Sequence, residues 1–295
     1  MKSLVRLSAV LTSVLFLISP VLRSGPAVVR FGIVTDIHYA ERDPAGTRFY
    51  RESGGKLTEF VGVMNKEKPD FIVELGDFKD QDAQPDRTRT LMFAAKAESI
   101  LAGFRGRRFH VLGNHDVDSL SKSEFLRQAV NSSIRRDRSY YSLDVKGIHL
   151  VVLDANYRSD GKDYDRGNYD WTDANIPAAE LAWLNKDLAS GKNPAIVLIH
   201  QQLDGEGSYY VKNAPAVRKI IEASGRVLAV FQGHRHEGAY SRIRGIHYCT
   251  LKGLIEGSGP ENNAYALVTV EPDGTIRITG YRTAVSAAYP KASGF

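Results

Sequence analysis

Short apolar runs recur along the chain, and most are followed within a residue or two by Asp or His. Residues 28–35, 71–75, 109–112, 195–199 and 227–232 are mostly apolar, as in strands buried on both faces. Between them Leu57, Phe60, Val61 and Met64 fall at three- and four-residue spacing and predict a helix over 56–66. Similar spacing predicts helices over 90–101 (Leu91, Ala94, Ala95, Ile100, Leu101), 178–189 (Leu181, Trp183, Leu184, Leu188) and 216–222. Strand, helix, strand alternation implies right-handed parallel crossovers with helices covering a sheet. Residues 140–145 and 148–153, joined across Lys146-Gly147, predict a hairpin. The runs 247–251, 264–270 and 275–281 predict antiparallel strands closing a second sheet. The pattern is α/β, with two packed sheets and helices outside. His110 and His149 lie inside strands and read as structural.

Two long polar stretches interrupt this pattern. Residues 39–55 are too long for a simple turn, and 154–175 form a charged, aromatic insertion with Asp165, Tyr169 and Trp171. Long loops in compact domains are often functional, so the insertion is a candidate lid, with a solvated surface loop as the alternative. At 295 residues, 43% apolar and without a repeat, the chain holds enough material for one large core, and no linker divides it. The expected organisation is an N-terminal segment over 1–24, one domain over 28–283 and a tail over 284–295.

Lys2 and Arg6 precede an apolar run over 7–22, the order of a secretory signal or an N-terminal membrane anchor. Cleavage between residues 23 and 28 and an exported location are therefore expected. Loss of 1–24 removes Lys2, Arg6 and Arg23 and lowers the net charge from +5 to +2, so the basic balance says little. No stripe of cations interleaved with aromatics is present, which argues against nucleic acid as partner. Cys249 stands alone, so the domain rests on its core rather than on an intramolecular disulfide.

The chemistry sits where the strands end. Val111-Leu112-Gly113-Asn114-His115-Asp116 places three polar side chains after a strand, each able to touch a metal or a phosphate. Thr35-Asp36-Ile37-His38, Gly76-Asp77-Phe78-Lys79-Asp80, Ile199-His200 and Gly233-His234-Arg235-His236 repeat the arrangement. Loops leaving the carboxyl ends of strands converge on one crevice in an open α/β sheet. Asp36, His38, Asp77, Asn114, His200, His234 and His236 together offer more ligands than one four-coordinate ion uses. Two ions fit better, one carboxylate being shared. Oxygen and imidazole donors without thiolate suit manganese, iron, zinc or nickel. Such a pair, roughly 3.5–4 Å apart, can activate a water and stabilise a phosphoryl transfer, with His115 free as an acid.

These five blocks, in order from Asp36 to His236, resemble the calcineurin-like metallophosphoesterases, whose pattern is Asp-x-His, Gly-Asp-x-x-Asp, Gly-Asn-His-Asp/Glu, a lone His, then Gly-His-x-His. The resemblance implies a four-layer αββα sandwich of two mixed sheets and a two-metal phosphoric ester hydrolase using a metal-activated water. It also implies that Asp36, His38 and His236 hold one ion, that Asn114, His200 and His234 hold the other, and that Asp77 bridges them. His115 would protonate the leaving oxygen, with Asp80 as its partner. A finer resemblance, carried by Asp36-Ile37-His38-Tyr39-Ala40, Arg48-Phe49-Tyr50-Arg51, residues 233–240 and Leu251-Lys252-Gly253-Leu254-Ile255-Glu256, is to the manganese-dependent ADP-ribose/CDP-alcohol diphosphatase branch. His38 departs from that branch, which often carries glutamine there, and this bears on metal and substrate preference. The expected substrate is a small-molecule phosphate ester or nucleotide, with Tyr39 and Arg48 as candidate contacts. A broad exported phosphomonoesterase or phosphodiesterase, and a non-catalytic metal- or phosphate-binding protein, are the alternatives.

Overall fold

The computed structural model describes residues 29–166 and 168–292, so the segment expected over 1–24 lies outside the described residues. Twelve strands and five α-helices are assigned among them: β1 (Val29–Val34), α1 (Ser53–Glu67), β2 (Phe71–Glu74), α2 (Arg87–Leu101), β3 (Arg107–His110), α3 (Lys122–Gln128), β4 (Tyr141–Val145), β5 (Ile148–Val152), α4 (Ala178–Ser190), β6 (Ala195–Leu198), α5 (Ala214–Ala223), β7 (Val227–Gln232), β8 (Glu237–Ile243), β9 (Ile246–Lys252), β10 (Ala264–Val270), β11 (Ile276–Arg282) and β12 (Ala287–Tyr289). None of the described helices is long and apolar enough to cross a membrane.

The strands form two six-stranded sheets, β12-β11-β10-β1-β2-β3 and β4-β5-β6-β7-β9-β8. Both are mixed. β1, β2 and β3 run parallel, while β10 pairs antiparallel with β1. β5, β6, β7 and β9 run parallel, with β4 and β8 antiparallel at the edges. Phe31, Phe71, Phe109, Leu150, Leu198, Phe231 and Val268 meet between the sheets. Outside the first sheet Leu57, Phe60 and Met64 of α1 and Phe93 and Leu101 of α2 pack on Ile72 and Leu267. Outside the second, Leu184, Leu188, Val217 and Ile221 cover Val151, Val197 and Val230. The order is helix, sheet, sheet, helix, the αββα sandwich expected.

Several expectations are corrected. β10 and β11, expected in the second sheet, extend the first, and β9 pairs parallel with β7. β8, half-exposed along its length, and the seven-residue α3 carry no apolar period. The expected tail contributes β12, which pairs with β11. The 39–55 stretch is shorter than it reads because α1 begins at Ser53. The buried Lys56 Nζ then donates to the carbonyls of Leu254 (3.1 Å), Glu256 (2.9 Å) and Gly257 (2.7 Å), clamping that loop beneath α1.

Candidate metal centre

β1, β2, β3, β6 and β7 all end at one edge of the sandwich, and their following loops bring the seven candidate ligands together. Asp36, His38 and His236 form one group of converging ligand atoms, and Asp77, His200 and His234 form another. Asp77 joins them, since its Oδ2 lies 3.2 Å from His200 Nε2 and 3.5 Å from His38 Nε2. Its other oxygen, Oδ1, accepts from the His115 backbone N–H at 2.7 Å.

The same division applies to nearly every member. Thr35 Oγ1 and His234 N donate to Asp36 Oδ2, at 2.7 and 3.1 Å, leaving Oδ1 3.2 Å from His236 Nε2. His38 turns Nδ1 to Asp80 Oδ2 (3.3 Å), His200 turns Nδ1 to the Leu75 carbonyl (3.0 Å), and His236 turns Nδ1 to Glu256 Oε1 (2.5 Å). Each of these three imidazoles thus has one nitrogen oriented by an outer partner and presents the other inward, the arrangement that fixes metal-ligating histidines. Asp36 Oδ1, Asn114 Oδ1, His200 Nε2 and His234 Nε2 are buried and without hydrogen-bond partners. Buried polar atoms are normally satisfied, so these orphaned acceptors fit a pair of cations.

Backbone and electrostatics agree. Asp36, His38, Asp77 and His234 all have positive φ, between 46° and 67°, a conformation that costs non-glycine residues roughly 1–3 kcal/mol each and gathers at functional sites. Burial opposes charge on Asp77, yet the imidazoles of His200, His115 and His38 outweigh it and hold its pKa far below the usual carboxylate range. Burial likewise opposes charge on His200 and His236, but Asp77 and Asp36 respectively lift each to about 9. Burial and the neighbouring His200 push His234 down to about 3.

His115 stands beside the ligands. Its Nδ1 lies 3.5 Å from Asp80 Oδ2 and 3.7 Å from Asp118 Oδ2. Burial would favour the neutral ring, but Asp80 and Asp77 dominate and hold its pKa well above the ordinary histidine value. Asp80 therefore faces both His38 and His115, and Asp118, which no motif marks, is a second partner, itself bound by the buried Lys79.

Two expectations fail here. Tyr39 does not face the site: it is 5% exposed, its ring packs edge-on against Phe93 and its hydroxyl donates to Glu41. The apolar environment under α2 is a better place for the ring than solvent. Asp116 turns away too, accepting from the backbone N–H groups of Gly113 (2.8 Å), Phe78 (2.9 Å) and Asp77 (3.1 Å), and so braces two ligand loops. Arg48 is half-buried and, among the described residues, its guanidinium has no hydrogen bond or ion pair. Burial disfavours its charge, but Tyr50 and the carboxylates Asp77, Asp80 and Asp36 raise its pKa. The insertion is anchored at buried points, although 159–163, 165, 166, 170 and 171 are exposed. Asn156 Nδ2 donates to the Leu112 carbonyl (2.7 Å), Gln201 Nε2 donates to Asn156 Oδ1 (2.8 Å), and Tyr164 is fully buried. It delivers Trp171 beside His234, and Tyr209 joins them, with ring centroids 5.9 and 5.5 Å from that imidazole. Sequence reasoning missed Tyr209 and Asp118, which lie outside any ligand spacing.

Residues 29–238 match the model of the calcineurin-like phosphoesterases. The chain belongs to this family. It is a metal-dependent phosphoric ester hydrolase with candidate ligand groups for two ions. It is 24% identical over 311 residues to a manganese-dependent ADP-ribose/CDP-alcohol diphosphatase of Xenopus tropicalis, covering 82% of this chain and 89% of that one. It is 25% identical over 270 residues to a probable cyclic nucleotide phosphodiesterase of Rhodopseudomonas palustris, covering 83% and 89%. A dimetal phosphatase from Danio rerio superposes with a TM-score of 0.78 at 19% identity, covering 90% of this chain and all of that one. This calcineurin-like hydrolase therefore matches these relatives over most of its length.

Proposed function

We propose that this hydrolase cleaves the pyrophosphate bond of nucleoside diphosphate derivatives such as ADP-ribose or CDP-alcohols, uses manganese, and is exported. The observation that carries the two-metal part is the position of Asp77 Oδ2 between His38 and His200, flanked by orphaned acceptors of both ligand groups. Asp36, His38 and His236 would hold one ion, and Asn114, His200 and His234 the other, with Asp77 shared. Bound there, the ions supply an acidified water and Lewis acidity toward phosphoryl oxygens.

The chain's own residues do the rest. Arg48, without an ion pair among the described residues, offers its guanidinium to a phosphate, which that planar group can grip bidentately. Trp171 and Tyr209 offer aromatic faces to a base. His115, whose Nδ1 faces Asp80 and Asp118, stands where it can protonate the departing oxygen. The names of the diphosphatase relatives support the substrate class, and the basic then apolar order of residues 2–22 supports export. A second reading, phosphodiester hydrolysis, is favoured by the relative named as a probable cyclic nucleotide phosphodiesterase.

The test is a panel. Manganese-loaded protein is assayed on ADP-ribose, CDP-choline, p-nitrophenyl phosphate, bis-p-nitrophenyl phosphate and 2′,3′-cyclic nucleotides. Higher kcat/KM on the two diphosphates is expected. A higher value on simple monoesters or diesters removes the diphosphatase reading and leaves the two-metal hydrolase standing.

A further inference from the structure

A cavity of about 510 Å³ opens beside His236, within the range of about 300–1,000 Å³ that small-molecule sites occupy. Thr47, Lys252, Glu256, Asn262 and Thr283 line it together with His236. Its wall touches the metal centre: the Gly253 N–H donates to the His236 carbonyl (3.0 Å), and a Cβ at Gly253 would stand 2.9 Å from His236 Cγ.

Most of the lining is already engaged. Asn262 Nδ2 donates to the Ser258 carbonyl (2.6 Å), Thr283 Oγ1 donates to the Asn263 carbonyl (3.0 Å), and Glu256 Oε1 meets His236 Nδ1 at 2.5 Å. Lys252 differs, since among the described residues its Nζ has no hydrogen bond and no ion pair. An ammonium carries three donors and no acceptor, so the cavity calls for an anion, and its lining presents no indole or phenol face to a base.

The base faces stand on the other side. Trp171 and Tyr209 flank His234, a candidate ligand of the second ion, whereas the cavity flanks His236, a candidate ligand of the first. Asp77 joins the two ligand groups between them. A nucleoside diphosphate derivative laid across the centre, base on the rings, brings its nucleoside-bearing phosphorus to the ions. The next anion along it is the second phosphate, and Lys252 is the cation lining the cavity at that end.

We propose that this cavity is the subsite for the sugar-phosphate or alcohol-phosphate half of the substrate, with Lys252 binding its phosphate, so that water attacks the nucleoside-bearing phosphorus. The inference rests on the diphosphatase reading above. The water oxygen bonds that phosphorus, and the bond from it to the bridging oxygen breaks. The electron pair leaves with the bridging oxygen on the second phosphate, and the two protons of the water end one on each phosphomonoester.

The experiment hydrolyses CDP-choline in heavy-oxygen water with the manganese-loaded full chain and follows the label by mass spectrometry. Label in CMP is expected, and label in phosphocholine overturns the orientation. This arm uses the wild-type chain and does not depend on how a variant folds. Lys252→Ala should lower kcat/KM about tenfold more on CDP-choline than on bis-p-nitrophenyl phosphate, which carries one phosphate, the low end of a hydrogen bond to a charged group. The loss should fall on KM, as for a contact made equally before and during reaction. Calorimetry with methylene-bridged ADP, which cannot be cleaved between its phosphates, reads binding without turnover: Lys252→Ala should weaken it about tenfold more than AMP. Equal losses on the two substrates, or equal weakening of the two nucleotides, would remove Lys252 from the subsite. Wild-type protein that hydrolyses bis-p-nitrophenyl phosphate but neither CDP-choline nor ADP-ribose sinks the diphosphatase reading and the subsite together, whereas label in phosphocholine from an active diphosphatase sinks the subsite alone.

Discussion

Replacing Gly113 by alanine tests whether the ligand loops really brace one another. A Cβ at Gly113 would stand 2.8 Å from the Gly76 carbonyl carbon and nearer still to the Asp77 backbone nitrogen and Oδ1. Carbon atoms pack best at about 3.5–4.0 Å, so the two loops must part by roughly 1 Å. Nothing that could yield easily is in the way, because two of the three atoms belong to backbone. The displaced residue is the carboxylate that joins the two ligand groups, and the Gly113 N–H bond to Asp116 is pulled with it. Overpacking of this kind costs about 1–3 kcal/mol in stability, and a 1 Å misplacement at a reacting centre can cost about 100-fold in rate. Gly113→Ala should therefore bind fewer than two equivalents of manganese by elemental analysis and lose about 100-fold in kcat, with a modest fall in melting temperature. Gly55→Ala in α1 is the control. Its Cβ meets nothing within 4 Å, and removal of a helical glycine should stabilise by about 0.5–1 kcal/mol. A Gly113→Ala enzyme with two metals and full activity would refute the packing argument.

Asp77→Asn should lose the metal pair, whereas His115→Ala should keep both ions and lose about 10²–10⁴ in kcat; equal metal loss in the two variants would make His115 a ligand. His110, buried between Glu74 (3.0 Å) and Glu98 (3.0 Å), offers a pH test away from the ligands. Burial opposes its charge, but Glu98 and Glu74 raise its pKa to about 10. A raised folded-state value means its stabilisation is complete below the unfolded value of about 6.5 and fades as pH climbs toward 10. Urea midpoints should fall across that window, and His110→Ala should flatten the slope while costing up to about 3–5 kcal/mol at neutral pH by leaving the buried Glu74 without its cation, Glu98 keeping Arg108; a variant with the wild-type slope would exclude His110 as the cause. N-terminal sequencing of exported material should find a start between residues 23 and 28; recovery only from cytosol with Met1 intact would remove the export reading.

Much of the centre was legible because its chemistry is local. A buried parallel strand needs an uninterrupted apolar run, and the turn after it shows its polar residues at once, as at 35–38, 76–80 and 113–116. Five such endings, in order, carry the candidate ligand set and the family, and with the family the αββα fold. Other features were not legible, because an alternating or apolar stretch records burial but not its neighbour. Residues 264–270 read correctly as a strand, yet pairing with β1 rather than with the second sheet depends on how the chain returns through space. Tyr39 and Tyr169 are alike in sequence, each an aromatic in a polar loop. One fills the apolar space beneath α2, and the other is pressed against His115 by the buried Tyr164. Asp116 and Asp118 likewise flank the same motif, and backbone geometry alone sends the first to brace the loops and the second to the imidazole. By itself the sequence determined which groups could bind metal and on which strand ends they stand. Only the tertiary structure decided which polar neighbours turn inward, since that choice is made by packing against residues distant in the chain.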